Sequence, residues 1–148
     1  MTNASERSSD GLAKAVVASM LERDAFTRWL GAELVAVRPG HCSLRMRVRE
    51  DMVNGFGVAH GGIAFSLADS AMAFACNSTG QVTVAIDNAI SYPAAIHLDD
   101  ELVAVAEEES ATNRLAFYRV VVRRGDAVVA LFRGTVYRTQ RLHERSND

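Results

Sequence analysis

The chain has 148 residues, 49% of them hydrophobic and 23% charged, with a formal net charge of −2. That is the length of one domain, long enough to bury a sizeable core, and the near balance of charge leaves no basic excess for nucleic acid or an anionic membrane. Fifteen of the sixteen basic residues are Arg and the only Lys is Lys14, which argues against Schiff-base and P-loop chemistry. Cys42 and Cys76 form no Cys-x-x-Cys, and no His-x-x-x-His spacing occurs, so no metal site is expected. Two Cys without a signal-like start point to a reducing, cytoplasmic setting, and no stretch is apolar enough to span a bilayer.

Residues 1–10 are polar and read as a disordered N-terminal tail. A single helix is predicted from Gly11 to Leu30, with Leu12, Val16, Val17, Met20 and Leu21 on one stripe and Gly31 as its stop. Glu33 to Val37 reads as a short strand and Pro39-Gly40 as a turn. From His41 to Val48 the residues alternate, with Cys42, Leu44, Met46 and Val48 on the face expected to be buried. The glycine-rich stretch from Met52 to Gly62 reads as an ordered loop. Ile63 to Asn77 is apolar nearly all round, which predicts a buried helix, and Ser78-Thr79-Gly80 ends it.

Strands follow over Gln81 to Tyr92, Leu102 to Glu108, Arg114 to Arg123 and Ala127 to Tyr137, with Gly125-Asp126 as a hairpin turn. Residues 139–148 read as a polar C-terminal tail, leaving 11–138 as one domain. Two strands, one buried helix and four more strands predict an α+β fold: an antiparallel sheet wrapped around one central helix.

Charge is distributed unevenly along this chain. From Met52 to Ile86 there is no Lys, Arg or Glu, and the one carboxylate is Asp69. Burying an unpaired carboxylate is costly and Asp is a mediocre helix former, so Asp69 either faces solvent, bonds Ser66 or Ser70, or is a base or nucleophile with a raised pKa. Gly61 and Gly62 stand where the buried helix begins. N–H groups of a first turn lack intrahelical acceptors, and glycine lets a ligand approach them, so an oxyanion would be well placed there.

Gly61 and Asp69 share a helix face but lie about 12 Å apart along the axis. A base must lie within about 3 Å of its proton or one water away. Two antiparallel copies of the helix across a two-fold axis remove the conflict, which predicts two active sites shared across an isologous dimer. His60 either orients the loop and binds substrate or bonds local backbone. Asn54 either bonds a substrate carbonyl or is a turn residue beside Gly55. Phe56, Phe65, Met72 and Phe74 are candidates for an acyl pocket, although each residue type is more often plain core.

The run Asn54-Gly-x-Gly-x-x-His60-Gly61-Gly62, followed by Phe65-Ser-Leu-Ala-Asp69 and Ala75-Cys-Asn-Ser78, resembles the hot-dog-fold acyl-CoA thioesterases of the phenylacetate-degradation (PaaI) type. Ala130-Leu-Phe-Arg-Gly134 is similar as well, and the likeness covers roughly Glu33 to Arg138. It implies a five- or six-stranded antiparallel sheet around a long helix, and dimers that often pair into tetramers. It implies metal-free hydrolysis of an aryl- or medium-chain acyl-CoA, with coenzyme A as part of the substrate and no separate cofactor.

Carried over by residue, Asp69 is the nucleophile or general base, Gly61 N–H polarises the thioester carbonyl from the other protomer, Asn54 positions carbonyl or water, and His60 supports the loop. Gly62, Phe65, Ser70 and Ala73 fall in the implied substrate site; Ala73 stands where related enzymes carry a Thr or Ser that assists the water. Asn113 and Arg114 are the candidates for coenzyme A phosphates. A non-hydrolytic acyl-CoA binder and a hot-dog hydratase or dehydratase are the alternatives.

Overall fold

The computed structural model describes residues 4–144. Helix α1 spans Ala4–Arg23 and helix α2 spans Ala25–Leu30, so the one helix expected over 11–30 is two, and it begins earlier. Asp24 makes the break: its carboxylate leaves the helix and accepts the Thr27 N–H at 2.9 Å, capping α2. Gly31, with φ of 74°, ends α2 as expected. Residues 4–10, expected as part of a disordered tail, form the first turns of α1. Their polarity is that of a solvated helix end, anchored from behind by the buried Ala13, Val16 and Val17 and favoured at its start by Glu6. Residues 1–3 and 145–148 lie outside the described residues.

The strands are β1 (Glu33–Arg38), β2 (His41–Arg47), β3 (Gln81–Ser91), β4 (Glu101–Ala111), β5 (Leu115–Arg124) and β6 (Ala127–Leu142), with α3 (Gly61–Asn77) between β2 and β3. They form one antiparallel sheet in the order β1-β2-β4-β5-β6-β3. This is the hot-dog arrangement implied above, with six strands. α3 packs across β2, β4, β5, β6 and β3. Its Leu67, Ala68, Ala71, Met72 and Phe74 meet Leu44, Ala104, Val120, Phe132 and Val136 in one core. The alternation of β2 holds, with Cys42, Leu44, Met46 and Val48 all buried. The described residues contain no helix long and apolar enough to cross a membrane.

The last strand runs past its expected end. Residues 139–142, expected as tail, extend β6 because the start of β3 offers them a partner: Gln81 pairs with Leu142, and Thr139 Oγ1 donates to the Val82 carbonyl at 2.6 Å. Just beyond, His143 Nε2 lies 2.7 Å from Asn77 Oδ1.

Asn77, at the end of α3, is buried and uses its whole amide. Its Nδ2 donates to the carbonyls of Ala73 and Thr83 at 2.8 and 3.0 Å, and its Oδ1 accepts the Thr83 N–H at 2.9 Å as well as facing His143. This ties the helix end to the edge of the sheet. Asn77→Ala is expected to destabilise the fold by about 2–3 kcal/mol, because it strands buried backbone groups of Thr83; urea unfolding measures it, and a loss under about 0.5 kcal/mol would contradict the assignment.

Candidate active site

α3 is not equally buried all round. Gly62, Phe65, Ser66, Asp69 and Ala73 form a half-exposed stripe down one side, at the three- and four-residue spacing of a single helix face. Beside them runs β3, an edge strand whose Val84 and Ile86 are 48% and 58% exposed. Asp69 therefore stands where the buried helix and the open edge of the sheet meet.

The side chain is held from the sheet. Asn88 Nδ2, on β3, donates to Asp69 Oδ1 at 3.0 Å. None of the partners anticipated for Asp69 is used: Ser66 Oγ donates back to the Gly62 carbonyl at 2.6 Å, and Ser70 Oγ lies 2.8 Å from Thr27 Oγ1 of α2. Burial raises the Asp69 pKa above the ordinary carboxylate value, and the Asn88 bond offsets part of that rise. Ser70 is 9% exposed and turned toward α2, so its hydroxyl anchors the two helices to each other and is not presented with Asp69. Ala73, one turn on, shares the Asp69 face and brings no hydroxyl to it.

The loop before α3 is tightly bonded. Val53 and Ala59 bridge, and Asn54 N–H donates to the Val58 carbonyl at 2.7 Å. Asn54 Oδ1 accepts the N–H of Phe56 at 2.9 Å and of Val58 at 3.4 Å. Asn54 is thus the turn residue of the two readings as far as its oxygen goes, and only its NH2 is left to meet a substrate. His60 is the N-cap of α3, with Nδ1 accepting the Gly62 N–H at 2.9 Å. With Nδ1 accepting, Nε2 is the ring nitrogen left to donate.

That cap consumes the Gly62 donor, and the Ile63 N–H bonds the His60 carbonyl at 2.9 Å. Gly61 N–H has no acceptor among the described residues, which makes it the donor available to an oxyanion. Tyr92 frames it: its hydroxyl donates to the Gly61 carbonyl at 2.8 Å, and a side chain on Gly61 would sit 3.1 Å from that hydroxyl. Neither Asn88 nor Tyr92 was singled out by the sequence reading.

The remaining expected site residues are dispersed. Phe65 is half-buried with its ring edge-on to Phe132, 5.4 Å between centroids. Met72 and Phe74 are 0% and 1% exposed and belong to the core, whereas Phe56 is 93% exposed. Met72 lies seven residues from Phe65 on the same side of α3 but is wholly buried, Phe74 lies on the opposite side, and Phe56 is exposed on the loop, so the four do not share one open pocket. Asn113 and Arg114 lie in the exposed β4–β5 turn, where Arg114 Nη1 donates to the Tyr137 hydroxyl at 3.0 Å; no hydrogen bond joins them to the Asp69 site among the described residues.

The folded-state pKa of Asp69 is raised, so the ionised carboxylate costs stability above that pKa and the cost disappears as pH falls through it. Asp69→Asn keeps the acceptor for Asn88 and removes the charge. Its Tm is expected to exceed that of the wild type at neutral pH, with the gap closing under acid; a gap independent of pH would contradict burial as the cause.

Comparison with known proteins gives the chain a family. Residues 56–131 match the thioesterase superfamily model. The acyl-coenzyme A thioesterase PaaI of Escherichia coli is 36% identical over 121 residues, 81% of this chain and 86% of that protein. The solved E. coli PaaI structure superposes with a TM-score of 0.87 at 32% identity, covering 90% of this chain and 97% of that one. A Streptococcus mutans protein solved with acetyl-CoA bound superposes with a TM-score of 0.70 at 26% identity, covering 73% and 88%. With a matching family model over half its length and a relative of this identity over most of it, the chain belongs to the thioesterase superfamily.

Proposed function

We infer that this protein hydrolyses aryl- or medium-chain acyl-CoA thioesters, as a dimer in which Asp69 of one protomer acts on a carbonyl held by the partner's Gly61. The observation that carries the reading is a half-buried carboxylate of raised pKa, fixed on the side of a helix whose own N-terminal donor lies about 12 Å away. The name of the E. coli relative and the acetyl-CoA on the S. mutans relative support the substrate class.

The open edge supports the dimer. β3 has eleven residues, exposes Val84 and Ile86, and leaves one side of its backbone unpaired in the sheet. Such an edge is a template for a second strand. A second copy pairing antiparallel along β3 sets the two α3 helices antiparallel, with each Asp69 toward the partner's Gly61. Phe117 and Leu131, exposed on the outer face of the sheet, suit a further contact between two such dimers.

The reaction follows from the donors and acceptors. The partner's Gly61 N–H and Asn54 NH2 orient the thioester carbonyl, and the carbonyl oxygen gains negative charge as water attacks carbon. Asp69, ionised, takes the proton from that water. The C–S bond breaks, the thiolate of coenzyme A leaves, and the proton passes from Asp69 to it. Polarisation comes from backbone and amide N–H groups, so the step includes no metal. One lost oxyanion donor typically costs about 100–1000-fold in rate.

Release of thiol from a panel of acyl-CoAs, read with a disulfide-forming dye, tests the reading. Asp69→Asn is expected to lower turnover at least about 100-fold without changing the dimer in sedimentation. The acid limb of wild-type kcat/KM is expected above the ordinary carboxylate range, since Asp69 must be ionised. Tight binding of acyl-CoA without thiol release would favour a non-hydrolytic binder, and an enoyl product from a 3-hydroxyacyl-CoA would favour a dehydratase. Ile86→Asp, in the proposed strand pairing, is expected to give monomers and abolish thiol release together; active monomers would refute shared sites.

A further inference from the structure

We propose that Asn88 is the positioning residue of the Asp69 carboxylate, its amide packed with Met72 over the bare backbone of Gly134 and held in one orientation by the carboxylate itself. The proposal rests on Asp69 acting as the base. Two amides beside α3 contrast, Asn77 buried and Asn88 half-buried. Asn77 satisfies both ends of its side chain with four partners and holds the fold together. Asn88 makes one hydrogen bond, to Asp69. Its Oδ1 is buried and meets no donor among the described residues. An amide kept for stability does not hold a buried acceptor without a partner; an apolar side chain would pack there without that defect.

Asp69 explains why the amide does not turn over to relieve the defect, and Gly134 why there is room for it. Asn88 pairs with Gly134 across β3 and β6. A side chain on Gly134 would overlap the Met72 sulfur and sit 2.8 Å from Asn88 Oδ1, so Met72 and the Asn88 amide already fill that space. Turning the amide over would aim Oδ1 at the Asp69 carboxylate, acceptor against acceptor, and lose the one bond it makes. The orientation that remains places the NH2 on Asp69 Oδ1 and leaves the other carboxylate oxygen to the reaction. The register shift of β3 between Ala85 and Asp87 is the local irregularity that aims Asn88 at the helix, as bulges beside active sites do. The ionisable neighbour coupled to Asp69 on its own helix is the Cys76 thiol, pushed up to about 12 by burial, and it stays neutral through the working range.

Asn88→Leu and Asn88→Ser test this with the best acyl-CoA of the panel. Leu keeps the branched shape at somewhat greater bulk and removes both the donor and the orphaned acceptor. Its kcat/KM is expected to fall roughly 10–100-fold, with the acid limb displaced to higher pH and a Tm no lower than wild type. Ser offers a shorter donor that reaches the carboxylate through one water, and is expected to bring the acid limb part of the way back toward the wild-type position. An unchanged rate and profile in Asn88→Leu would overturn the proposal. So would lost activity that comes with a lowered Tm and an unmoved acid limb, which marks a merely structural amide. Full activity in Asp69→Asn would instead remove the underlying reading of the site, an outcome separable from either.

Discussion

The structure is organised around an ionisable group that its helix would be more stable without. Asp69 sits in the middle of α3, a helix whose other faces are core. A carboxylate there is tolerable only at a seam where it keeps some water and gains a donor. The seam exists because α3 crosses the sheet beside β3, the edge strand, and because β3 breaks register just where Asn88 can turn toward the helix. Gly134 is part of the same constraint, since the space its side chain would take is filled by Met72 and the Asn88 amide. Met72, Asn88 and Gly134, on three elements, are thus arranged about one charge.

A second consequence comes from the stiffness of an α-helix. α3 is continuous from Gly61 to Asn77, so its N-terminal donor and its carboxylate keep a separation of about 12 Å whatever the side chains do. His60 sharpens this, because its cap takes the Gly62 N–H and leaves Gly61 as the donor. On the proposed reading the exposed β3 edge and the separation along α3 are two aspects of one design. On that reading the edge would recruit the copy that supplies the missing half of each site.

Much of this was legible in the sequence, for physical reasons. The all-apolar helix and the alternating strands fixed the α+β architecture, since each period corresponds to one way of burying a face. The single carboxylate between Met52 and Ile86 marked the candidate site. What escaped reading depended on neighbours distant in sequence. Residues 4–10 looked like tail because a solvated helix end and a disordered segment have similar composition. Ser70 looked available until Thr27 claimed it. Phe74 and Phe65 look alike in sequence, but only packing assigns one to the core and the other to the stripe. Asn88 did leave a trace: the alternation of Val82, Val84 and Ile86 slips at Asp87-Asn88, where the strand bulges.

The central claim is that each site takes its carboxylate from one protomer and its oxyanion donor from the other. A doubly tagged heterodimer of Asp69→Asn and Gly61→Pro subunits tests it most directly. Proline at the first helical position removes the N–H and is compatible with a helix start. Each variant alone is expected to be inactive. With shared sites the heterodimer gathers both defects in one site and leaves the other intact, so about half of the wild-type activity returns. A heterodimer as inactive as its parents would contradict the account, because every site would then lie within a single chain.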